Sequence, residues 1–161
     1  MDLPTRHIPI REVSLPADTQ RLKALILEYV AWLDMDLSYR GFDAEMENFE
    51  TLYTLPSGTF FLAEHGGRAV GCAGLLRRGD GVAELKRVFV QPALRGRHLG
   101  EKLVDAVVRR ARALGFRRLV LDAVPPTTHA QQLYLRMGFT PTPPYYPDPV
   151  AGTKFFELLL D

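Results

Sequence analysis

The sequence predicts one α/β domain, built on a mostly antiparallel sheet of about six or seven strands with about four flanking helices. Three observations predict this class. The chain has 161 residues, 47% hydrophobic and 24% charged, which suits one domain with an ordinary core. Three strand-like segments in the middle of the chain are joined by short turns that contain glycine. Apolar residues repeat at helical spacing on both sides of these segments.

The first third of the chain predicts a strand and then helices. Residues 8–13 alternate weakly between apolar and polar side chains, which indicates a strand. Asp18 and Thr19 are good helix caps, and apolar residues recur at helical spacing to about residue 34. Residues 35–55 mix acidic side chains with spaced apolar ones, so we expect a second, shorter helix behind a loop at Gly41.

The rest of the chain predicts a meander, a long helix and a closing set of elements. Strands are expected at residues 59–64, 69–76 and 82–90, joined by glycine turns into an antiparallel meander. Pro92 ends the third strand, and a long amphipathic helix follows until Gly115. The predicted remainder is a buried strand at 118–124, a short helix at 128–137, and strands at 139–143 and 154–160.

Composition and charge exclude several classes of function. A formal net charge of +1 gives no broad electrostatic reason to expect nucleic acid or an anionic membrane as a partner. No apolar run of about 18 residues predicts a membrane span, and the first residues lack the apolar core of a secretory signal. The cytoplasm is therefore the default location. The histidines lack metal-ligand spacing, so no metal is expected. The sequence leaves the oligomeric state open, with a homodimer as one candidate.

The turn at residues 95–100, Arg-Gly-Arg-His-Leu-Gly, is a candidate anion site because it joins a strand to the start of the long helix. The first amides of a helix have no backbone partner, and the helix dipole places partial positive charge there. Glycine lets the backbone approach a phosphate closely, and Arg95 and Arg97 add charged donors. An ordinary turn with solvated arginines explains this stretch, taken alone, equally well.

Residues 90–104 closely resemble the acetyl-CoA signature of the GNAT superfamily of N-acetyltransferases, whose usual core is Arg/Gln-x-x-Gly-x-Gly/Ala. Arg95 fills the first position and Gly100 the last, whereas His98 stands where the middle glycine is usual. Residues 130–139 resemble the family's later motif, commonly Ala-x-x-Leu-Tyr-x-x-x-Gly-Phe. The resemblance covers nearly the whole chain and is strongest from about residue 59 to 139.

The resemblance implies a mixed central sheet that splays between the strand ending at Val90 and the strand beginning near Arg118, with the pantetheine arm of acetyl-CoA in the gap. His98, at a helix start, is expected to have an ordinary negative φ and to offer its amide as glycine would. Thr127 stands where many members carry asparagine. The cofactor-binding residues implied are Val88, Phe89, Val90, Arg95, Gly96, Arg97, His98, Leu99, Gly100 and Thr127.

Two residues carry the chemistry that the resemblance implies. Tyr134 matches the family's usual general acid, which gives a hydrogen bond or a proton to the departing thiolate; a tyrosine packed in a helix is the alternative. Glu84 lies in the strand that floors the family's active site, where a carboxylate can take the amine proton directly or through water. In strict alternation Glu84, Lys86 and Val88 share one face, which a salt-bridged patch explains equally well.

The acceptor is expected to be a small molecule, an amine or an amino acid, that receives the acetyl group directly in a ternary complex. Its binding residues are expected among aromatic side chains near the first helix and in the late proline-rich loop, all of which could also be core residues. They are Tyr29, Trp32, Tyr39, Tyr145 and Tyr146. Alternatives are a CoA-binding domain without turnover, transfer of another acyl group, and acetylation of a protein N-terminus.

Overall fold

The computed structural model describes residues 8–37 and 40–160. Within them, seven strands form one sheet and five α-helices pack against it. The strands are β1 (Ile10–Glu12), β2 (Gly58–His65), β3 (Arg68–Gly79), β4 (Val82–Val90), β5 (Arg118–Ala123), β6 (Thr140–Pro141) and β7 (Lys154–Leu159). The helices are α1 (Thr19–Leu33), α2 (Phe42–Glu47), α3 (Phe49–Leu52), α4 (Leu99–Ala113) and α5 (Thr128–Arg136).

The sheet splays between β4 and β5, as the family resemblance implies. The strand order is β1-β2-β3-β4-β5-β7-β6, and β4 and β5 are the parallel pair while the other neighbours are antiparallel. β4 and β5 pair only between residues 82–84 and 118–120. Beyond Glu84, the side of β4 that faces β5 is left open, so the predicted mixed sheet with a central gap is confirmed.

Two apolar clusters, one on each face of the sheet, hold the layers together. α1 buries Leu22, Leu25 and Ile26 against residues of β2, β3 and β4, including Phe89. On the other face, α4 buries an i, i+4, i+8 row that begins at Leu99. The helical spacing in the sequence therefore marks the buried faces of both long helices. Among the described residues, the helices lack the combination of length and apolar character that a membrane span requires.

Two predicted elements differ from the structure. The single helix expected within residues 35–55 is two short helices, because Asn48 leaves the helical conformation and its side-chain amide donates to the Ala44 carbonyl. The strand expected at 139–143 shrinks to the two residues of β6. The Phe139 amide donates to the Tyr134 carbonyl at the end of α5, and Pro143 and Pro144 have no amide hydrogen to donate.

Candidate active site

A β-bulge in β4 shapes the site. Cys72 pairs with Phe89 and Gly74 pairs with Lys86, so two steps along β3 face three along β4. Arg87 occupies the bulge with a φ of +55°. The Arg87 carbonyl accepts a hydrogen bond from the Cys72 thiol. Burial raises the pKa of this thiol to about 12.

The bulge overturns the expectation that Glu84, Lys86 and Val88 share one face. The extra residue breaks the alternation. Lys86 and Arg87 therefore both reach Glu45 of α2, at 3.0 and 2.9 Å. Val88 instead packs against the cluster on the α4 side.

A small cavity of about 50 Å³ lies where the sheet splays. Of the predicted site residues, it brings together Tyr29, Val88, Thr127 and Tyr134. Three cationic residues and one carboxylate also line it, namely Arg40, Lys86, Arg87 and Asp122. The cavity therefore joins the open side of β4 to the helix that carries the expected general acid.

The Tyr134 side chain is buried at the wall of this cavity, with only 6% of the residue exposed. Its ring packs against Phe139 and Phe156. Between residues 8–37 and 40–160, no partner hydrogen-bonds to its hydroxyl. Burial raises the pKa of Tyr134, so the hydroxyl stays protonated and can donate into the cavity.

Glu84 lies just behind the cavity wall, 1% exposed. One of its oxygens accepts hydrogen bonds from Arg40 and the Tyr145 hydroxyl, both at 2.6 Å, and the other accepts from Arg78 at 3.0 Å. Burial, followed by the nearby Glu84 charge, raises the pKa of Tyr145. The carboxylate is thus held by two guanidinium groups and a phenol.

Tyr146 has a matching place beside Asp122. The Tyr146 hydroxyl donates to the Asp122 carboxylate at 2.6 Å. The Arg40 guanidinium lies 4.0 Å from the centroid of the Tyr146 ring, and the Arg40 Nε is 3.3 Å from the same carboxylate. Tyr145 and Tyr146 therefore orient charged groups around the cavity instead of lining it. The predicted Tyr39 lies outside the described residues.

Sequence reasoning missed Arg40, Glu45 and Asp122. Arg40 lies in a loop and Glu45 on a short helix, and only the folded chain brings them to β4. Asp122 left a signal, because it is an acidic residue inside the apolar strand 118–124. Among the residues that the structure describes, no group of three or more metal-ligand side chains could hold a metal ion.

The turn at 95–100 fits a pyrophosphate by its backbone. The first hydrogen bond of α4 runs from the Lys102 amide to the His98 carbonyl, and the amides of residues 96–101 have no backbone acceptor in the described chain. Gly96 has a φ of +80°, which glycine adopts without strain. A row of free amides at a helix start is a suitable cradle for the phosphates of acetyl-CoA.

Arg95 ties this turn to α1. Its Nε donates to the Val90 carbonyl at 3.0 Å, and its guanidinium lies 4.6 Å from the Trp32 ring centroid. Trp32 therefore contacts the turn and Phe89, outside the cavity wall. Thr127 lines the cavity, and its hydroxyl donates to the Val124 carbonyl at 2.6 Å.

His98 has a left-handed backbone, with a φ of +63°, so the expectation of an ordinary negative φ is wrong. The residue closes the turn immediately before α4, where glycine is usual in the family. A side chain in this conformation costs about 1–2 kcal/mol. The imidazole itself is 80% exposed, with Nδ1 3.5 Å from Glu101.

Replacing His98 by glycine is expected to raise the free energy of unfolding by about 1 kcal/mol, because glycine adopts positive φ freely. The matched control is His129→Gly. It makes the same exchange at an exposed residue of α5, where glycine costs up to about 1 kcal/mol. Urea unfolding of both variants should show a higher free energy of unfolding for His98→Gly and a lower one for His129→Gly. A loss of stability in His98→Gly would show that the turn is not strained at this residue.

The chain is similar to several known proteins. The model of the Acetyltransferase (GNAT) family matches residues 27–139. An uncharacterized N-acetyltransferase of Schizosaccharomyces pombe is 36% identical over 155 residues, covering 94% of each protein. The crystal structure of an acetyltransferase from Streptococcus agalactiae is 28% identical with a TM-score of 0.77, covering 95% of this chain and 98% of that one. A structure from Salmonella typhimurium, described with its cofactor acetyl-CoA, shares the fold at 24% identity and a TM-score of 0.71, covering 96% of this chain and 94% of that one.

Proposed function

Because the chain belongs to the GNAT family of acetyltransferases, we propose that it transfers the acetyl group of acetyl-CoA to the nitrogen of a small amine or amino acid. Transfer is direct, within a ternary complex. The observation that carries the proposal is the cavity at the splay, which places the open side of β4 next to the unpartnered Tyr134 hydroxyl.

The residues that would hold acetyl-CoA follow from the backbone. The free amides of residues 96–101 bind the pyrophosphate, with Arg97 as an added charged donor. The open side of β4 at residues 88–90 hydrogen-bonds the pantetheine amides, as a strand partner would. One amide of this stretch would polarise the thioester carbonyl. Bound there, acetyl-CoA would supply the acetyl thioester that the amine attacks.

In the reaction, the neutral amine nitrogen bonds to the carbonyl carbon and the carbon–sulfur bond breaks. The sulfur leaves with the electron pair of that bond, and Tyr134 stabilises it by donating a hydrogen bond or proton. The amine loses one proton, which balances the proton gained by the thiol. We assign its acceptance to Glu84, through water. Asp122 is a second candidate, because it lines the cavity while Glu84 lies behind the wall.

The test is release of free CoA thiol from acetyl-CoA across a panel of small amines and amino acids, with mass spectrometry of the acetylated product. We expect thiol release that depends on the acceptor and a product heavier by one acetyl group on nitrogen. Propionyl-CoA and a peptide with a free N-terminus test the other acyl group and the protein-terminus acceptor. Acetyl-CoA binding without thiol release for any acceptor would favour a CoA-binding domain and overturn the proposal.

A further inference from the structure

We propose that Arg87 is a positioning residue for acetyl-CoA, because its side chain holds the β4 bulge in the backbone conformation that opens residues 88–90 to the cofactor. The inference rests on the proposed binding of the pantetheine arm along β4. It gives Arg87 a role that acts through the backbone, without contact between its guanidinium and the cofactor.

Arg87 has a backbone conformation that its own side chain disfavours. Its φ of +55° lies in the left-handed region, which residues with a Cβ populate rarely. The other described non-glycine residues with positive φ, Asp34, His98 and Asp148, lie outside the strands. A strained residue inside a strand persists only when the structure around it holds it in place.

The Arg87 side chain is held through α2. Its Nε and Nη2 donate to the two carboxylate oxygens of Glu45, at 3.3 and 2.9 Å, and its guanidinium lies 5.3 Å from the Phe42 ring centroid. Only 8% of the side chain is exposed, so these contacts are shielded from water. The Cys72 thiol adds one weak hydrogen bond to the Arg87 carbonyl.

The bulge decides which backbone groups of β4 face the gap between β4 and β5. The Gln91 amide donates to the Val70 carbonyl of β3, so the amide and carbonyl of Val90 point away from β3 and toward the gap. Loss of the bulge would shift the pairing of residues 88–90 by one position and turn the Val90 groups toward β3. Arg87 therefore acts on the cofactor through the register of β4.

Two substitutions of Arg87 separate the backbone from the ion pair. Arg87→Gly and Arg87→Ala both remove the hydrogen bonds to Glu45, but glycine adopts positive φ freely and alanine does not. Both variants leave Glu45 with Lys86 at 3.0 Å, so the buried carboxylate keeps a counter-charge. If Arg87 served only as an ion-pair partner, both variants would lose the same affinity.

Calorimetric titration with acetyl-CoA measures the positioning. In Arg87→Ala we expect Kd to rise about tenfold, because a smaller fraction of the protein has the bulge in place. In Arg87→Gly we expect Kd to stay within about threefold of the wild type. Equal values for the two variants, or weaker binding by Arg87→Gly, overturn the inference. The comparison needs no turnover, so it decides the inference even when no amine is acetylated and the proposed transfer has failed.

Labelling of Cys72 follows the bulge without a ligand. Cys72 is the only cysteine of the chain, and its thiol contacts the Arg87 carbonyl. Its reaction with a disulfide reagent under native conditions should be faster in Arg87→Ala than in Arg87→Gly. In an ordinary strand glycine is the more weakening residue, so the expected order is the reverse of the usual one. Equal rates would show that the bulge is held without this side chain and would overturn the inference.

Arg118 of β5 offers the matched control. It is also an arginine in a strand, and its Nε donates to Glu157 at 2.6 Å, but its φ lies outside the left-handed region. Arg118→Ala and Arg118→Gly should both keep the wild-type Kd for acetyl-CoA, with Arg118→Gly the less stable of the two.

A second pair of variants serves if Arg87→Ala does not fold. Arg87→Asn and Arg87→Gln repeat the comparison with larger side chains, since asparagine enters the left-handed region more readily than glutamine. A higher Kd for acetyl-CoA in Arg87→Gln than in Arg87→Asn supports the inference. Equal Kd values overturn it.

Discussion

Replacing Tyr134 by phenylalanine is expected to lower kcat about a hundredfold, the lower end of the effect of a general acid or hydrogen-bond donor. The change removes one hydroxyl that lines the cavity and has no partner in the described chain. That hydroxyl is the group available to stabilise the departing thiolate. Because burial raises the pKa of Tyr134, we expect its main contribution to be a hydrogen bond, since full proton transfer from a weaker acid is less favourable.

Two further readouts separate chemistry from packing. The Kd for acetyl-CoA should change little, because the pyrophosphate amides and the open side of β4 are untouched. The stability of Tyr134→Phe should stay close to that of the wild type, because the hydroxyl has no hydrogen-bond partner to lose in the described chain. A fall in acetyl-CoA affinity as large as the fall in kcat would point to a packing role instead.

Replacing Glu45 by glutamine is expected to lower the free energy of unfolding at pH 7 by about 3 kcal/mol, because it removes the carboxylate that pairs with buried Lys86 and Arg87 and leaves Arg87 without an ion-pair partner in the described chain. The shifted pKa of Glu45 leads to the same loss of free energy of unfolding. Burial would raise this pKa, but Arg87 and Lys86 lower it from 4.5 to about 2. Each pKa unit is worth about 1.4 kcal/mol, so the shift corresponds to about 3 kcal/mol.

The pH dependence has a defined sign. The pKa is lower in the folded state, so the stabilisation is complete above about pH 4.5 and is lost as the pH falls toward 2. The difference between wild type and Glu45→Gln, measured by urea unfolding, should therefore shrink between pH 6 and pH 3. Glu47→Gln, at an exposed glutamate of the same helix, is the control and should cost less than about 0.5 kcal/mol. A difference that grows on acidification would contradict this account.

The sequence predicts where the main helices and strands lie, but not every helix end or the shape of the sheet. Periodic burial locates α1 and α4, and glycine turns locate the meander of β2, β3 and β4. The end of α2 was missed, because Asn48 breaks the helix by a local hydrogen bond inside an otherwise helical pattern. The family resemblance predicts the splay of the sheet. The spacing of residues along the chain does not indicate it.

Contiguous motifs in the sequence point to part of the candidate site, and only folding brings the rest together. Tyr134 and the turn at 95–100 lie in contiguous motifs. The bulge at Arg87 adds one residue between paired positions, and a single residue reverses which side chains share a face. Arg40 and Glu45 reach β4 from elements about 40 residues away in the chain, so neither spacing nor periodicity marks them. The sequence does not reveal the positive φ of His98, because the turn, and not the helix that follows it, determines that residue's backbone.

The most direct test of the account is steady-state kinetics of thiol release with acetyl-CoA and one accepted amine both varied. Direct transfer in a ternary complex predicts that double-reciprocal plots intersect and that no acetylated protein accumulates without acceptor. Parallel plots together with an acetyl-protein detected by mass spectrometry would contradict direct transfer. Absence of thiol release with every acceptor, despite bound acetyl-CoA, would contradict the account as a whole.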